Sequence, residues 1–238
     1  STCGLRSTRR SSPRGRRARR DGPGLYSAAV EPFDLLRAIL IVAAAYLIGG
    51  IPFGVIVAKV SGGPDPRAVG GGRTGGANTR RASGPRLALL SGLLDMVKGT
   101  VAVLLARALG AGVEVEVLAG LAVIIGHSRS PFLGFRGGRG VAPAFGGLLA
   151  FQPLIAFATL VVFIGVILVT RYSSMGSLVG SAVAGILVAI ATYAIPLDPW
   201  MYLYAVGGTG LVWLFHKDNI ERLLAGQERK IGTPRPEG

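Results

Sequence analysis

The stretch VAPAFGGLLAFQPLIAFATLVVFIGVILVT, residues 141–170, carries no charged side chain across thirty positions. As one helix it would rise about 45 Å, well beyond the roughly 30 Å of bilayer hydrocarbon. The natural break is Gln152-Pro153, because a proline suits the first turn of a new helix and not the interior of an old one. The reading is a short helix over 141–151 and a full span over 154–170. The same scan, carried outward, gives Leu35–Val57 with Pro52 near its end, Leu87–Leu109, Met175–Ile195 and Pro199–Phe215. Val113–Gly126 is shorter and opens with Glu114 and Glu116, so it begins at an interface. The fold class expected is therefore all-α, a polytopic integral membrane protein of about seven transmembrane helices. Composition agrees: of 238 residues 50% are apolar and only 16% charged, where a soluble domain carries about a quarter. A disordered chain is excluded by this apolar content. Collagen is excluded because the 37 glycines follow no three-residue period. A lone cysteine, Cys3, excludes a disulfide framework and a cysteine-ligated metal site.

The net charge of +14 divides unevenly. Residues 1–25 hold eight arginines against Asp21 alone, with almost nothing apolar to pack. We read residues 1–30 as a basic, disordered tail and 31–238 as the membrane domain. Seven spans place 58–86, 127–140, 171–174 and 216–238 on one side. That side collects fifteen Lys and Arg, from Lys59 and Arg67 to Lys230 and Arg235. The other side has almost none apart from the tail. The positive-inside rule makes the rich side cytoplasmic; the tail alone runs against it. Every glycine-rich, polar or histidine-containing segment also falls on that face.

Four segments there can carry chemistry. In Asp65–Arg81, Gly70, Gly71, Gly72, Gly75 and Gly76 bare the backbone and can form a nest for phosphate oxygens, with Arg67, Arg73 and Arg81 supplying charge. Alone, the loop reads equally as a flexible linker, and no Gly-Lys-Ser/Thr follows to make a P-loop. In Gly126–Val141, Gly137, Gly138 and Gly140 precede a helix, which with Arg139 makes an anion site. His127 reads as a base, a phosphate ligand or an ordinary interfacial residue. In Arg171–Ser177, Ser174 and Ser177 share a helix face but also suit helix capping. In His216–Gly232, His216, Asn219 and Leu223 repeat at helical spacing; the plain alternative is an amphipathic anchor. Asp95 and Lys98 lie inside the second span at i and i+3 and can pair.

Together these segments resemble the acyl-phosphate-dependent glycerol-3-phosphate acyltransferases of bacteria. The resemblance runs from Tyr46 to Gly232. It covers Tyr46-Leu-Ile-Gly-Gly-Ile-Pro-Phe-Gly54, Leu94-Asp-Met-Val-Lys-Gly99, Gly126-His127 with the following Phe-Leu-x-Phe-x-Gly-Gly-x-Gly-Val run, Thr170-Arg-Tyr, and Asn219 through Gly232. It implies a seven-helix membrane enzyme that moves an acyl chain from acyl phosphate to the 1-hydroxyl of glycerol 3-phosphate, giving lysophosphatidic acid and phosphate. It also implies a substrate-assisted mechanism: the phosphate of glycerol 3-phosphate takes the hydroxyl proton, and His127 or His216 orients phosphate. The family uses neither acyl-CoA nor a His-x-x-x-x-Asp motif, and His127 has no Asp at that offset. Departures are visible. The family's Gly-Ser-Gly-Asn-x-Gly-Ala-Thr-Asn stands here as Gly70-Gly71-Gly72-Arg73-Thr74-Gly75-Gly76-Ala77-Asn78. Pro131 is one place late, Arg139 replaces Lys, and Pro143 replaces Thr.

Residue chemistry and resemblance jointly nominate His127, Arg139, Ser174, His216 and Asn219 as catalytic. The substrate-binding set takes Arg67, Gly71, Gly72, Arg73, Gly75, Asn78 and Arg81 from the first segment. Gly137, Gly138, Gly140, Arg171, Ser177, Glu228 and Lys230 complete it. Asp95 and Lys98 form a structural pair. No metal or cofactor is expected. The partners are acyl phosphate, glycerol 3-phosphate and membrane lipids, not nucleic acid, and the location is the cell (plasma) membrane with site loops cytoplasmic. Two other classes stand beside this one: a degenerate homologue that binds acyl phosphate or phospholipid without turnover, and a small transporter. The transporter reading wants polar residues spread through several spans, and only Asp95 and Lys98 are clearly intramembrane.

Overall fold

The computed structural model describes residues 32–69 and 71–233. The basic tail with its expected disorder, Gly70 and Arg235 lie outside the described residues. Nine α-helices run among the described residues, and no strand: α1 Pro32–Gly50, α2 Phe53–Val60, α3 Gly76–Ala108, α4 Val113–Ser128, α5 Val141–Phe151, α6 Pro153–Thr170, α7 Ser173–Ala194, α8 Trp200–Phe215 and α9 Lys217–Leu224. Proline places two of the boundaries. Pro52 caps α2 and separates it from α1, and Pro153 opens α6 in its first turn. A third proline bends α3. Gly84, at φ +86° and ψ 174°, precedes Pro85, a backbone conformation open essentially to glycine alone. The segment expected as loop through residue 86 is thus helical from Gly76, and the kink turns its first two turns away from the span.

Four stretches are long and apolar enough to cross a membrane: Asp34–Val60, which joins α1 and α2, Gly76–Ala108, Pro153–Thr170 and Ser173–Ala194. Helices α4, α5 and α8 have 16, 11 and 16 residues and rise only about 24, 16 and 24 Å. The outer face of the bundle is apolar: Leu154, Val169 and Tyr193 are more than four-fifths exposed. Side chains of this kind in contact with water would form a patch no soluble monomer carries.

Helix α4 forms the centre. Val117, Ala119, Val123 and Ile124 are fully buried where α1, α3, α5 and α8 close around it. Without a hydrophobic driving force between helices in lipid, close backbone approach holds such a bundle. Glycines supply it. A Cβ on Gly126 would strike the Tyr46 carbonyl, and one on Gly49 the Val123 carbonyl, at the α1–α4 crossing. Gly99 and Gly146 do the same on the two sides of the α3–α5 crossing, against Pro143 and Met96.

Candidate active site

The starts of α3, α5 and α7, the end of α8, and α9 with the residues after it meet around one cavity of about 1200 Å³. Its mouth is polar and basic. Arg73, Arg80, Arg81, Arg139, Arg222, Arg229 and Lys230 line it, against two carboxylates, Asp95 and Glu228. Deeper, one face from each of four helices makes an apolar chamber: Leu148 of α5, Phe163 of α6, Val188 of α7 and Tyr204 of α8. Tyr204 is held there by donating to the Ala144 carbonyl at 2.7 Å and by an edge contact with Phe151 at 4.8 Å. From His216 at the mouth to Tyr204, α8 advances about 18 Å. The arrangement suits an amphiphile with an anionic head and a long apolar tail.

Glu228 organises the mouth. Its Oε1 accepts from Ser174 Oγ at 2.8 Å and Asn219 Nδ2 at 2.6 Å, and its Oε2 from Arg222 Nε at 2.7 Å. Burial opposes ionisation of Glu228, but the Arg222, Ser174 and Asn219 bonds outweigh it and hold the carboxyl below the usual glutamate value. Asp218 behaves alike: burial works against it, and Arg139, Arg222 and Arg73 keep it ionised below its ordinary value. Burial lowers Arg73, with Asp218 countering and Arg139 adding to the effect. Arg73 makes no side-chain hydrogen bond among the described residues.

The two histidines are set up differently. Lys98 Nζ lies 2.9 Å from His127 Nδ1, 2.9 Å from the Ile51 carbonyl and 2.7 Å from Asp95 Oδ1. Asp95 Oδ1 also lies 3.4 Å from His127 Nδ1, so Lys98 and Asp95 together fix the ring, and His127 Nε2 packs against Gly138, whose Cβ would collide with it. At the end of α8, His216 Nδ1 donates to the Val212 carbonyl at 2.7 Å. Burial depresses its pKa to about 4, the Val212 bond countering. A neutral His216 presents a lone pair, not a proton, at Nε2.

The structure brings together most of the nominated residues. His127, Arg139, Ser174, His216, Asn219, Gly71, Arg73, Gly75, Asn78, Arg81, Gly140, Ser177, Glu228 and Lys230 all line the cavity. Others fall away from it. Arg67 turns back on Asp65 at 2.7 Å, because a partner two residues away costs less ordering than a distant one. Gly72 makes a left-handed turn at φ +67° outside the lining. Arg171 caps α6 in the left-handed region and donates to the Ile231 carbonyl at 3.0 Å. The backbone of Gly137 and Gly138 is not bare: their N–H groups donate to Ser128 and His127 carbonyls at 3.1 and 3.0 Å. Asp95 and Lys98 pair as expected.

A model of the glycerol-3-phosphate acyltransferase family matches residues 39–226. The chain belongs to this family. Glycerol-3-phosphate acyltransferase 1 of Deinococcus radiodurans is 42% identical over 202 residues, 83% of this chain and 97% of that one. Glycerol-3-phosphate acyltransferase 2 of Moorella thermoacetica is 44% identical over 197 residues, 82% and 97% of the two chains. Among solved structures, PlsY (YgiH), an integral membrane glycerol 3-phosphate acyltransferase, matches in its glycerol 3-phosphate form with a TM-score of 0.76 at 36% identity, over 83% of this chain and 96% of that one. Its lysophosphatidic acid form matches at 0.74 and 33%. This member of the glycerol-3-phosphate acyltransferase family is accordingly an acyltransferase of the membrane. Two residues escaped the sequence reading, Arg222 in the cavity lining and Asp218, which pairs with Arg139 beside it. Their i,i+4 spacing on α9 was the available signal. The chamber faces carried no such mark, since uniformly apolar helices show no period to say which side is hollow.

Proposed function

We propose that the protein transfers an acyl chain from acyl phosphate to the 1-hydroxyl of glycerol 3-phosphate, releasing lysophosphatidic acid and phosphate. The observation that carries this is one cavity with a basic mouth and an apolar chamber, built from all four motif segments. In this reading the acyl tail lies between α5, α6, α7 and α8 while both phosphates meet the arginines. Arg73, Arg81 and Arg139 neutralise phosphate charge, including that on the departing phosphate, by preset electrostatics and not by reorganisation. The family's substrate-assisted chemistry leaves the proton with the phosphate of glycerol 3-phosphate. In this reading His127, which lines the cavity, orients a phosphate oxygen. A neutral His216 offers only an acceptor at Nε2, which suits a protonated phosphate oxygen, so the two histidines orient phosphate differently. Ser174 and Asn219 are held in register by Glu228, which serves as their anchor more than as a substrate contact.

The remaining assignments belong to the same proposal. The membrane domain takes seven spans, α1 with α2 forming one and α3 through α8 the others. The mouth faces the cytoplasm, supported by its excess of Lys and Arg. The deciding experiment supplies purified protein in detergent with glycerol 3-phosphate and either acyl phosphate or acyl-CoA. Lysophosphatidic acid forms from acyl phosphate in this reading. Equal or faster synthesis from acyl-CoA overturns the donor, and no synthesis from either, with acyl phosphate still bound, favours the degenerate homologue.

A further inference from the structure

Asp218 lies in the His216–Gly232 segment and has no role in the acyl-transfer reading, yet it touches the cation that reaches the cavity from the turn before α5. Its Oδ2 lies 2.7 Å from Arg139 Nη2 and 3.4 Å from Arg222 Nη1. Arg222 is anchored in turn on Glu228, so the Asp218 carboxylate sits on a braced support. Arg139 Nη1 has no hydrogen bond among the described residues, and the side chain lines the cavity. A guanidinium is planar, with donors on more than one edge in a fixed fork. Fastening one edge therefore sets the direction of the other. The glycine loop lies beside the pair and leaves room for it: a Cβ on Gly71 would stand 3.8 Å from Arg139 Nη2 and 4.0 Å from Asp218 Oδ2.

We propose that Asp218 is a positioning residue, which holds Arg139 by Nη2 so that the free edge of the guanidinium meets a phosphate monoester in the cavity. This rests on the acyl-transfer reading only for which phosphate is meant. Inorganic phosphate, glycerol 3-phosphate and acyl phosphate present similar tetrahedral oxygens. Without Asp218, Arg139 has no side-chain hydrogen-bond partner among the described residues, and the contact is made by fewer of its conformers.

The test uses full-length protein in detergent. Steady-state kinetics are measured with each substrate varied, and, separately, the rise in melting temperature with glycerol 3-phosphate or inorganic phosphate. Asp218→Asn is expected to raise KM for one phosphate substrate about five- to twentyfold, with kcat altered less than about threefold. Ligand-induced stabilisation weakens in step. Asp218→Glu restores the charge one methylene away and gives an intermediate rise, about two- to fivefold. In an Arg139→Gln background, Asp218→Asn adds nothing further. An Asp218→Asn cost that is the same with or without Arg139 overturns the proposal, as do an unchanged KM and unchanged ligand stabilisation. If the Asn variant does not fold, an Asp218→Glu variant with wild-type KM overturns it equally. A chain that binds glycerol 3-phosphate with this dependence but makes no product keeps the positioning role and loses the proposed activity. A chain that turns over with a KM indifferent to Asp218 loses only the positioning role. If neither glycerol 3-phosphate nor inorganic phosphate binds, the positioning role falls as well.

Discussion

Arg73 stands where the family pattern has Asn, and its guanidinium lines the cavity without a side-chain partner among the described residues. A charge-assisted contact contributes roughly 1.5–3 kcal/mol. Arg73→Ala should accordingly weaken the apparent affinity for glycerol 3-phosphate or acyl phosphate about ten- to a hundredfold. Kinetics on the Ala variant read this directly, and unchanged affinities and turnover would make Arg73 a bystander. His216 gives a second expectation. In an unfolded chain its imidazole takes a proton near 6.5, whereas in the fold it stays neutral down to about 4. Its contribution to stability is therefore complete above about pH 6.5, and it is lost as pH falls from there toward 4. Asp218 and Glu228, both lowered, add losses of the same sign on the acid side. Melting curves across this range should fall more steeply for the wild type than for His216→Asn; parallel curves would contradict the buried neutral imidazole.

Helix crossings are the next scale. The α3–α5 contact depends on Gly99 and Gly146, each packed against a carbonyl-bearing backbone of the other helix. Neither neighbour is a flexible side chain that can step aside. Gly146→Val should force the helices apart and cost about 1–3 kcal/mol, visible as a lower melting temperature in detergent. The kink in α3 is separable from this. Gly84→Ala forbids the positive φ at a cost of about 1–3 kcal/mol. It also swings Asn78 and Arg81 relative to the cavity. Asn78 donates to the Arg73 carbonyl at 2.9 Å and Arg81 to Asn78 at 2.7 Å, so activity should drop further than stability does. Equal losses would mean that the kink only packs.

For the whole molecule, the convergence of four motif segments on one cavity demands that their ends lie at one end of the bundle. In the proposed seven-span arrangement the connections at 109–112, 152 and 195–199 take the other end. Cysteines at 73 and 219, placed one at a time in a Cys3→Ser chain, should react with a membrane-impermeant reagent from the same side. A cysteine at 197 should react from the opposite side. Labelling of 73 and 219 from opposite sides would refute the seven-span arrangement.

The all-α class, the membrane setting and most helix boundaries follow from the sequence alone, because they depend on local facts. Apolar length sets a span, Pro52 and Pro153 interrupt it, and clustered glycines and both histidines mark its polar end. The share of the site that was legible has the same origin: residues inside a motif could be named. Partnership was not legible. Ser174 meets Glu228 54 residues away, and Arg139 meets Asp218 79 residues away. No spacing rule spans such distances. Gly137 and Gly138 read as free donors until the returning chain set the Ser128 and His127 carbonyls above them. Arg67 read as a phosphate ligand until the turn beside it offered Asp65. The settings of His127 and His216 were decided the same way, one by a lysine and an aspartate from α3 and the other by a carbonyl of its own helix. Residue type sets what a side chain can donate or accept; only packing determines which group is there to meet it.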